Sequence, residues 1–124
     1  MDVKGKRPRI LVVEDDATLA SMYRSALRLA GYQVAVTSNG VTALWHINQS
    51  PPDLIVLNLH LPGVRGDVIL SEIAARFDLS HIPVVVVTGS DTQLVVAQAN
   101  AILQKPVDVI RLVSVVEQHL EPAA

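Results

Sequence analysis

"PDLIVLNLHLPG", residues 52–63, is the stretch that decides the fold of this 124-residue chain. It begins with an apolar run of strand length, ends that run in an amide at Asn58, and turns at once through the tripeptide LPG. A strand that is apolar on both faces is typical of the centre of a parallel sheet, where helices cover both sides. We therefore predict a central strand over 53–58. Asn58 then lies at its carboxyl end, which is where ligands bind in open parallel sheets.

The rest of the chain alternates short apolar runs with longer segments of helical period. Strands are predicted at 9–13, 33–37, 53–58, 83–89 and 101–104, and helices at 17–30, 41–49, 68–77, 90–99 and 107–120. Gly31 is expected to end the first helix and Ser90 to cap the fourth. Five βα units predict an α/β, flavodoxin-like, doubly wound fold, with a five-stranded parallel sheet of order 2-1-3-4-5. The second strand alternates in polarity, which favours an edge position.

Composition indicates one domain, because half of the residues are apolar and can form a single core. We expect a domain over 9–120 between flexible tails at 1–8 and 121–124. The absence of cysteine excludes disulfides and thiolate metal sites and favours a cytoplasmic location. No apolar run approaches the roughly 20 residues of a membrane span. A net charge of -2 argues against a nucleic-acid partner, and a basic cluster at the start is interpreted as a solvated tail: Lys4, Lys6, Arg7 and Arg9.

Polar side chains end four of the five predicted strands. They are Glu14, Asp15 and Asp16 after the first strand, Asn58 on the third, Thr88 on the fourth and Lys105 after the fifth. Carboxylates suit Mg²⁺, a hydroxyl can donate to a phosphoryl oxygen, and an ammonium can pair with it. Each residue alone has an ordinary structural explanation, and Asp16 is expected to cap the first helix. Their coincidence at one edge of the sheet favours a site for phosphoryl chemistry.

The segments "ILVVEDD", "PDLIVLNLHLPG", "PVVVVTG" and "QKPV" resemble, in order and spacing, the receiver domain of two-component response regulators. The resemblance covers nearly the whole chain. It implies that Asp15 is a direct Mg²⁺ ligand, that Glu14 acts mostly through water, and that His60 offers its backbone carbonyl to the metal.

The resemblance also implies two residues that contact a phosphoryl group. Thr88 matches the hydroxyl that follows the phosphoryl group on activation, and Lys105 matches the lysine that pairs with it. The bond between Lys105 and Pro106 is often cis in this family, so Pro106 is a cis-proline candidate.

Two positions depart from the family pattern. Asn58 stands at the phosphoacceptor position, where the family has aspartate, and Ile102 stands at the switch position, where it usually has Tyr or Phe. A neutral amide is a poor nucleophile for acyl-phosphate formation. Asn58 also removes one negative charge from the acidic cluster, so Mg²⁺ is expected to bind weakly, if at all.

Three classes of function remain open from the sequence. The first is a receiver that is not phosphorylated at the usual position and acts through protein contacts, either because Asn58 is natural or because it replaces aspartate in a normally active receiver. The second is a small Mg²⁺-dependent phosphatase or phosphotransferase, although neither a nucleophilic aspartate at position 58 nor a base is evident. The third is a nucleotide-binding flavodoxin-like module, which the absence of a glycine-rich loop after the first strand disfavours.

The resemblance implies a sensor histidine kinase or an output protein as partner. It also points to the face formed by the fourth helix, fifth strand and fifth helix as a docking or homodimer surface. That face is predicted to carry five apolar residues, which are Val95, Val96, Ile102, Leu112 and Val115.

Overall fold

The computed structural model describes residues 7–89 and 98–120. The five strands are β1 (Arg9–Val13), β2 (Gln33–Thr37), β3 (Leu54–Asn58), β4 (Val84–Thr88) and β5 (Ala101–Gln104). The helices within the described residues are α1 (Ala17–Leu29), α2 (Gly40–Gln49), α3 (Gly66–Ala75) and α4 (Val109–Leu120). None of these helices is long and apolar enough to cross a membrane.

The strands form one parallel sheet in the order β2-β1-β3-β4-β5, which confirms the predicted α/β doubly wound fold. All five residues of β3 are buried, as expected for the central strand. β2 lies at the edge, as its alternating sequence predicts, and most of its residues are only partly buried. The sheet therefore places the end of β3 between the ends of β1 and β4.

Two apolar cores cover the two faces of the sheet, because successive residues of each strand point to opposite sides. Along β1, Leu11 and Val13 face α2 and α3, whereas Ile10 and Val12 face α1 and α4. Within the described residues, α2 and α3 therefore cover one face of the sheet, and α1 and α4 cover the other. The carboxyl end of the strands is the end at which the polar residues collect.

The caps of the first two helices follow from short polar side chains. Asp16 accepts a hydrogen bond from the backbone N–H of Leu19 at 3.0 Å, as predicted for the cap of α1. Asn39 does the same for α2, accepting from Thr42 at 2.9 Å. Gly31 lies one residue beyond the C-cap of α1 and has a φ of 105°, a backbone conformation that favours glycine.

The predicted third helix is wrong at its end. Helix α3 stops at Ala75 because Arg76 adopts an extended backbone, and Phe77 lies outside the helix with its side chain 99% exposed. Val68 is also exposed, so neither residue belongs to the core stripe in which the periodicity places it. The last helix begins at Val109 rather than at residue 107.

Some predictions fall outside the described residues. They concern Ser90 as a helix cap, most of the helix predicted over 90–99, the basic residues Lys4 and Lys6, and the tail at 121–124. Gln98 and Ala99, which the structure describes, are not helical.

Candidate functional site

The polar residues that the sequence places at the strand ends meet at the carboxyl end of the sheet, which is called the rim below. β1 continues into Glu14, β3 ends at Asn58, and β4 ends at Thr88, and each of these three side chains is at least 95% buried. Asp15 and Asp16, which follow Glu14, are exposed. The rim therefore combines buried polar side chains with two exposed carboxylates.

The side-chain amide of Asn58 lies at the centre of this rim. Its Nδ2 donates to Glu14 Oε2 at 3.1 Å, to Asp15 Oδ1 at 3.0 Å and to the backbone carbonyl of His60 at 3.2 Å. Its Oδ1 accepts from the backbone N–H of His60 at 3.1 Å. The opposite amide orientation would place an oxygen against three acceptors and an NH₂ group against a donor. Only the observed orientation satisfies both ends of the amide.

Glu14 is a buried carboxylate that is held from three directions. Its Oε2 accepts from the backbone N–H of Asp16 at 3.1 Å as well as from Asn58. Its Oε1 lies 3.0 Å from Lys105 Nζ and forms an ion pair, although no hydrogen bond of acceptable geometry reaches that oxygen within the described residues. The side chain of Lys105 is 23% exposed, so this ion pair is largely shielded from solvent. Paired charges are the usual condition for burying a carboxylate.

The segment after β5 brings Lys105 to the rim through its backbone. The N–H of Lys105 donates to the carbonyl of Thr88 at 2.8 Å, and the bond to Pro106 is cis. Ile102, at the switch position of the resemblance, pairs with Val86 and packs partly buried against the core on the α2 and α3 side. A contact of Thr88 or Lys105 with a phosphoryl group stays a prediction.

The loop between β3 and α3 is closed by backbone packing. The N–H of Gly66 donates to the carbonyl of Leu59 at 2.9 Å, and a Cβ on Gly66 would lie 2.4 Å from the carbonyl oxygen of Asn58. The N–H of Gly40 donates to Pro62, which ties the same loop to the start of α2. Gly63 has a φ of 77°, which makes the turn of the LPG segment possible. These contacts set the direction in which the backbone leaves Asn58.

Two buried polar residues near the rim were missed by sequence reasoning. Tyr23, counted among the apolar residues of the first helix, is 1% exposed, and its hydroxyl has no hydrogen-bond partner among the described residues. Burial, together with the nearby negative charges of Glu14 and Asp16, raises the pKa of Tyr23 to about 12. Thr37 ends β2 and is buried, and its carbonyl accepts from the N–H of Glu14 at 3.0 Å. Its position at a strand end was the signal that could have identified it.

The arrangement of the oxygens does not fit a divalent cation as it stands. The resemblance assigns three oxygens to Mg²⁺, on the side chains of Glu14 and Asp15 and on the backbone carbonyl of His60. All three accept a hydrogen bond from the same atom, Asn58 Nδ2. Mg²⁺ needs the lone pairs of such oxygens at about 2.0–2.1 Å. In the described part of the chain, no group of three or more His, Cys, Asp or Glu side chains could hold a metal ion.

The docking face predicted from the sequence loses two of its five residues. Leu112 and Val115 on α4 are 0% and 5% exposed, and both belong to the core on the α1 and α4 side. They cannot contribute to an exposed surface, because α4 uses them to cover the sheet. Val95 and Val96 lie outside the described residues.

Comparisons with known proteins identify the family to which the chain belongs. A family model described as the response regulator receiver domain matches residues 10–117. The transcriptional regulatory protein BaeR of Escherichia coli is 46% identical over 89 residues, which are 72% of this chain and 36% of BaeR. The polar-differentiation response regulator DivK of Brucella anthropi is 29% identical over 119 residues, 92% of this chain and 97% of DivK. This chain therefore spans about a third of the first relative and nearly all of the second.

A solved structure carries the same fold. The Mn²⁺-bound form of response regulator Rcp1 superimposes with a TM-score of 0.80 at 27% identity, and the match covers 94% of this chain and 97% of that one.

Proposed function

The chain belongs to the response regulator receiver domain family of two-component signalling, and from this premise we propose that Asn58 occupies the phosphoacceptor position and prevents phosphorylation there. The observation that carries the proposal is the buried amide of Asn58 at the end of the central strand, hydrogen-bonded to Glu14 and Asp15. An acyl phosphate requires a carboxylate oxygen as nucleophile, and the amide oxygen of Asn58 is neutral and already accepts from His60.

The neighbouring carboxylates are poor replacements for the missing nucleophile. Asp15 accepts from Asn58, Asp16 caps α1, and Glu14 is buried and paired with Lys105. Transfer of a phosphoryl group to any of them would break one of these interactions. The same contacts give no support to a phosphatase or phosphotransferase, because none of these carboxylates is positioned as an unengaged base.

Signalling by this chain therefore proceeds through protein contacts, with a sensor histidine kinase or an output protein as the partner. Receiver domains are signalling modules. The proposal assigns Thr88 and Lys105 as phosphoryl contacts only where a carboxylate replaces Asn58. Mg²⁺ therefore binds only weakly to the unaltered chain. Ile102 occupies the switch position, which lacks an aromatic side chain.

Intact mass measured after treatment with acetyl phosphate and Mg²⁺ tests the proposal. We expect no phosphoryl adduct on the unaltered chain and an adduct on Asn58→Asp. Asn48→Asp is the matched control, because Asn48 lies on α2 and contacts Arg76 rather than the rim. An adduct on the unaltered chain, or one of equal yield on Asn48→Asp, would contradict the proposal.

A further inference from the structure

We propose that the amide of Asn58 takes the place of a divalent cation at this rim. The amide holds the acidic loop, residues 14–16 after β1, in an arrangement that does not depend on metal. This inference rests on the proposed function in one respect, since it takes Glu14, Asp15 and the carbonyl of His60 as the metal-binding oxygens of a receiver. It goes further because it concerns the folded state of the loop and not phosphorylation.

The three oxygens share one centre. Glu14 Oε2, Asp15 Oδ1 and the carbonyl oxygen of His60 lie 3.0–3.2 Å from the single atom Asn58 Nδ2. Two of these oxygens follow β1 and one follows β3, so the amide joins two loops that the sheet alone does not connect. A cation bound to the same oxygens would make the same connection.

The amide and a cation bound to these oxygens exclude each other. A cation about 2.0–2.1 Å from these oxygens would meet the two hydrogens of Nδ2, so the amide would have to rotate by half a turn. Rotation would direct Oδ1 to the cation, but it would also turn the NH₂ group towards the backbone N–H of His60, which now donates to Oδ1 at 3.1 Å. Metal binding would thus replace a satisfied pair by two facing donors.

The acidic residues have partners without metal. Lys105 neutralises Glu14 through the contact of 3.0 Å, Asp16 receives the N–H of Leu19, and Asp15 receives the amide of Asn58. With an aspartate at position 58, the charge of one more carboxylate would enter the same centre and the amide donor would be lost. Like charges at this distance destabilise the apo state, and a cation relieves them.

Thermal unfolding of the full chain, in EDTA and in 10 mM MgCl₂ at matched ionic strength, tests the inference. We expect the midpoint of the unaltered chain to change by less than about 1 °C. The midpoint of Asn58→Asp should fall in EDTA and rise by about 5 °C in MgCl₂, because a ligand that binds only the folded state stabilises it. Asn48→Asp, which adds the same charge on α2, should show no response to Mg²⁺.

Asn58→Ala separates the loss of the amide donor from the gain of a carboxylate charge. This variant removes the NH₂ group without adding a carboxylate, so it should lose stability in EDTA and gain a response to Mg²⁺. A variant that stays insensitive to Mg²⁺ would show that charge alone governs metal binding, and the inference would fail. An equal response of the unaltered chain and Asn58→Asp would also overturn it, while the absence of a phosphoryl adduct would leave the proposed function intact.

Discussion

The ion pair between Lys105 and Glu14 gives the sharpest energetic prediction for this rim. Lys105→Met keeps the apolar stem of the side chain and removes the charge that lies 3.0 Å from a carboxylate with 2% exposure. At an effective dielectric constant of about 20, that attraction is about 5 kcal/mol, and the cost of removing both charges from water offsets much of it. Glu14 keeps its hydrogen bonds from Asn58 and Asp16 after the substitution. We therefore expect the free energy of unfolding to fall by about 2 kcal/mol, below the 3–5 kcal/mol typical of a fully buried pair.

A double-mutant cycle measures this coupling directly. Urea denaturation, followed by circular dichroism at 222 nm, is compared for the unaltered chain, Lys105→Met, Glu14→Gln and the double variant. The coupling energy should be about 1.5–2 kcal/mol and should change little between 0.05 and 0.5 M NaCl, since buried pairs are only weakly screened. A coupling below about 0.5 kcal/mol, or one abolished by salt, would refute the reasoning, because it would show that the pair is solvated like an ordinary surface pair.

Three further predictions concern the surroundings of the rim. The fold raises the pKa of Tyr23 from 10.0 to about 12, so the contribution of the neutral hydroxyl to the free energy of unfolding is complete below pH 10 and is lost as the pH rises from 10 to 12. We expect the free energy of unfolding to fall by roughly 2–3 kcal/mol over that range. Urea denaturation at each pH measures this loss, which should be absent in Tyr23→Phe. Gly66→Ala should lower the free energy of unfolding, measured by chemical denaturation, by about 2–3 kcal/mol, because the new Cβ would overlap the backbone of Asn58. At Gly31 a new Cβ meets no atom within 4 Å, so Gly31→Ala should lower it by only about 1 kcal/mol, from the positive φ. Equal losses in the two variants would contradict this account. Asp16→Ala should lower stability by about 1 kcal/mol through loss of the cap of α1, and Asp16→Asn should retain most of it, which thermal unfolding can compare.

Sequence patterns predicted the strands and their polar ends because both depend on short-range information, whereas the strand order was chosen among the few topologies that right-handed crossovers allow. An apolar run of four residues followed by a polar one marks both a buried strand and its end, and the parallel connections bring all such ends to one end of the sheet. Asn58 could therefore be placed beside the acids that follow β1 before any contact was known. Donation from its amide to one of those carboxylates follows from residue type. The full set of four hydrogen bonds does not, because it depends on the direction in which the loop leaves β3 after Gly66 packs against Leu59.

Burial on the helices was predicted less well, and for a physical reason. Periodicity identifies a stripe of apolar residues but does not state which neighbour covers it. Phe77 lies in register with the stripe of α3, yet the helix ends at Ala75 and the side chain is exposed. Leu112 and Val115, expected on a docking face, are instead the residues with which α4 covers the sheet.

By itself the sequence determined the doubly wound fold, the family, and the presence of an amide at the end of the central strand, because periodicity and residue identity are sufficient for each. Only the tertiary structure decided which groups that amide joins. Two carboxylates and one carbonyl, brought from separate loops, converge on one nitrogen of Asn58, and a third element supplies the lysine that neutralises Glu14. Contacts between segments distant in the chain depend on packing in three dimensions, and spacing along the chain does not give the distances between those segments.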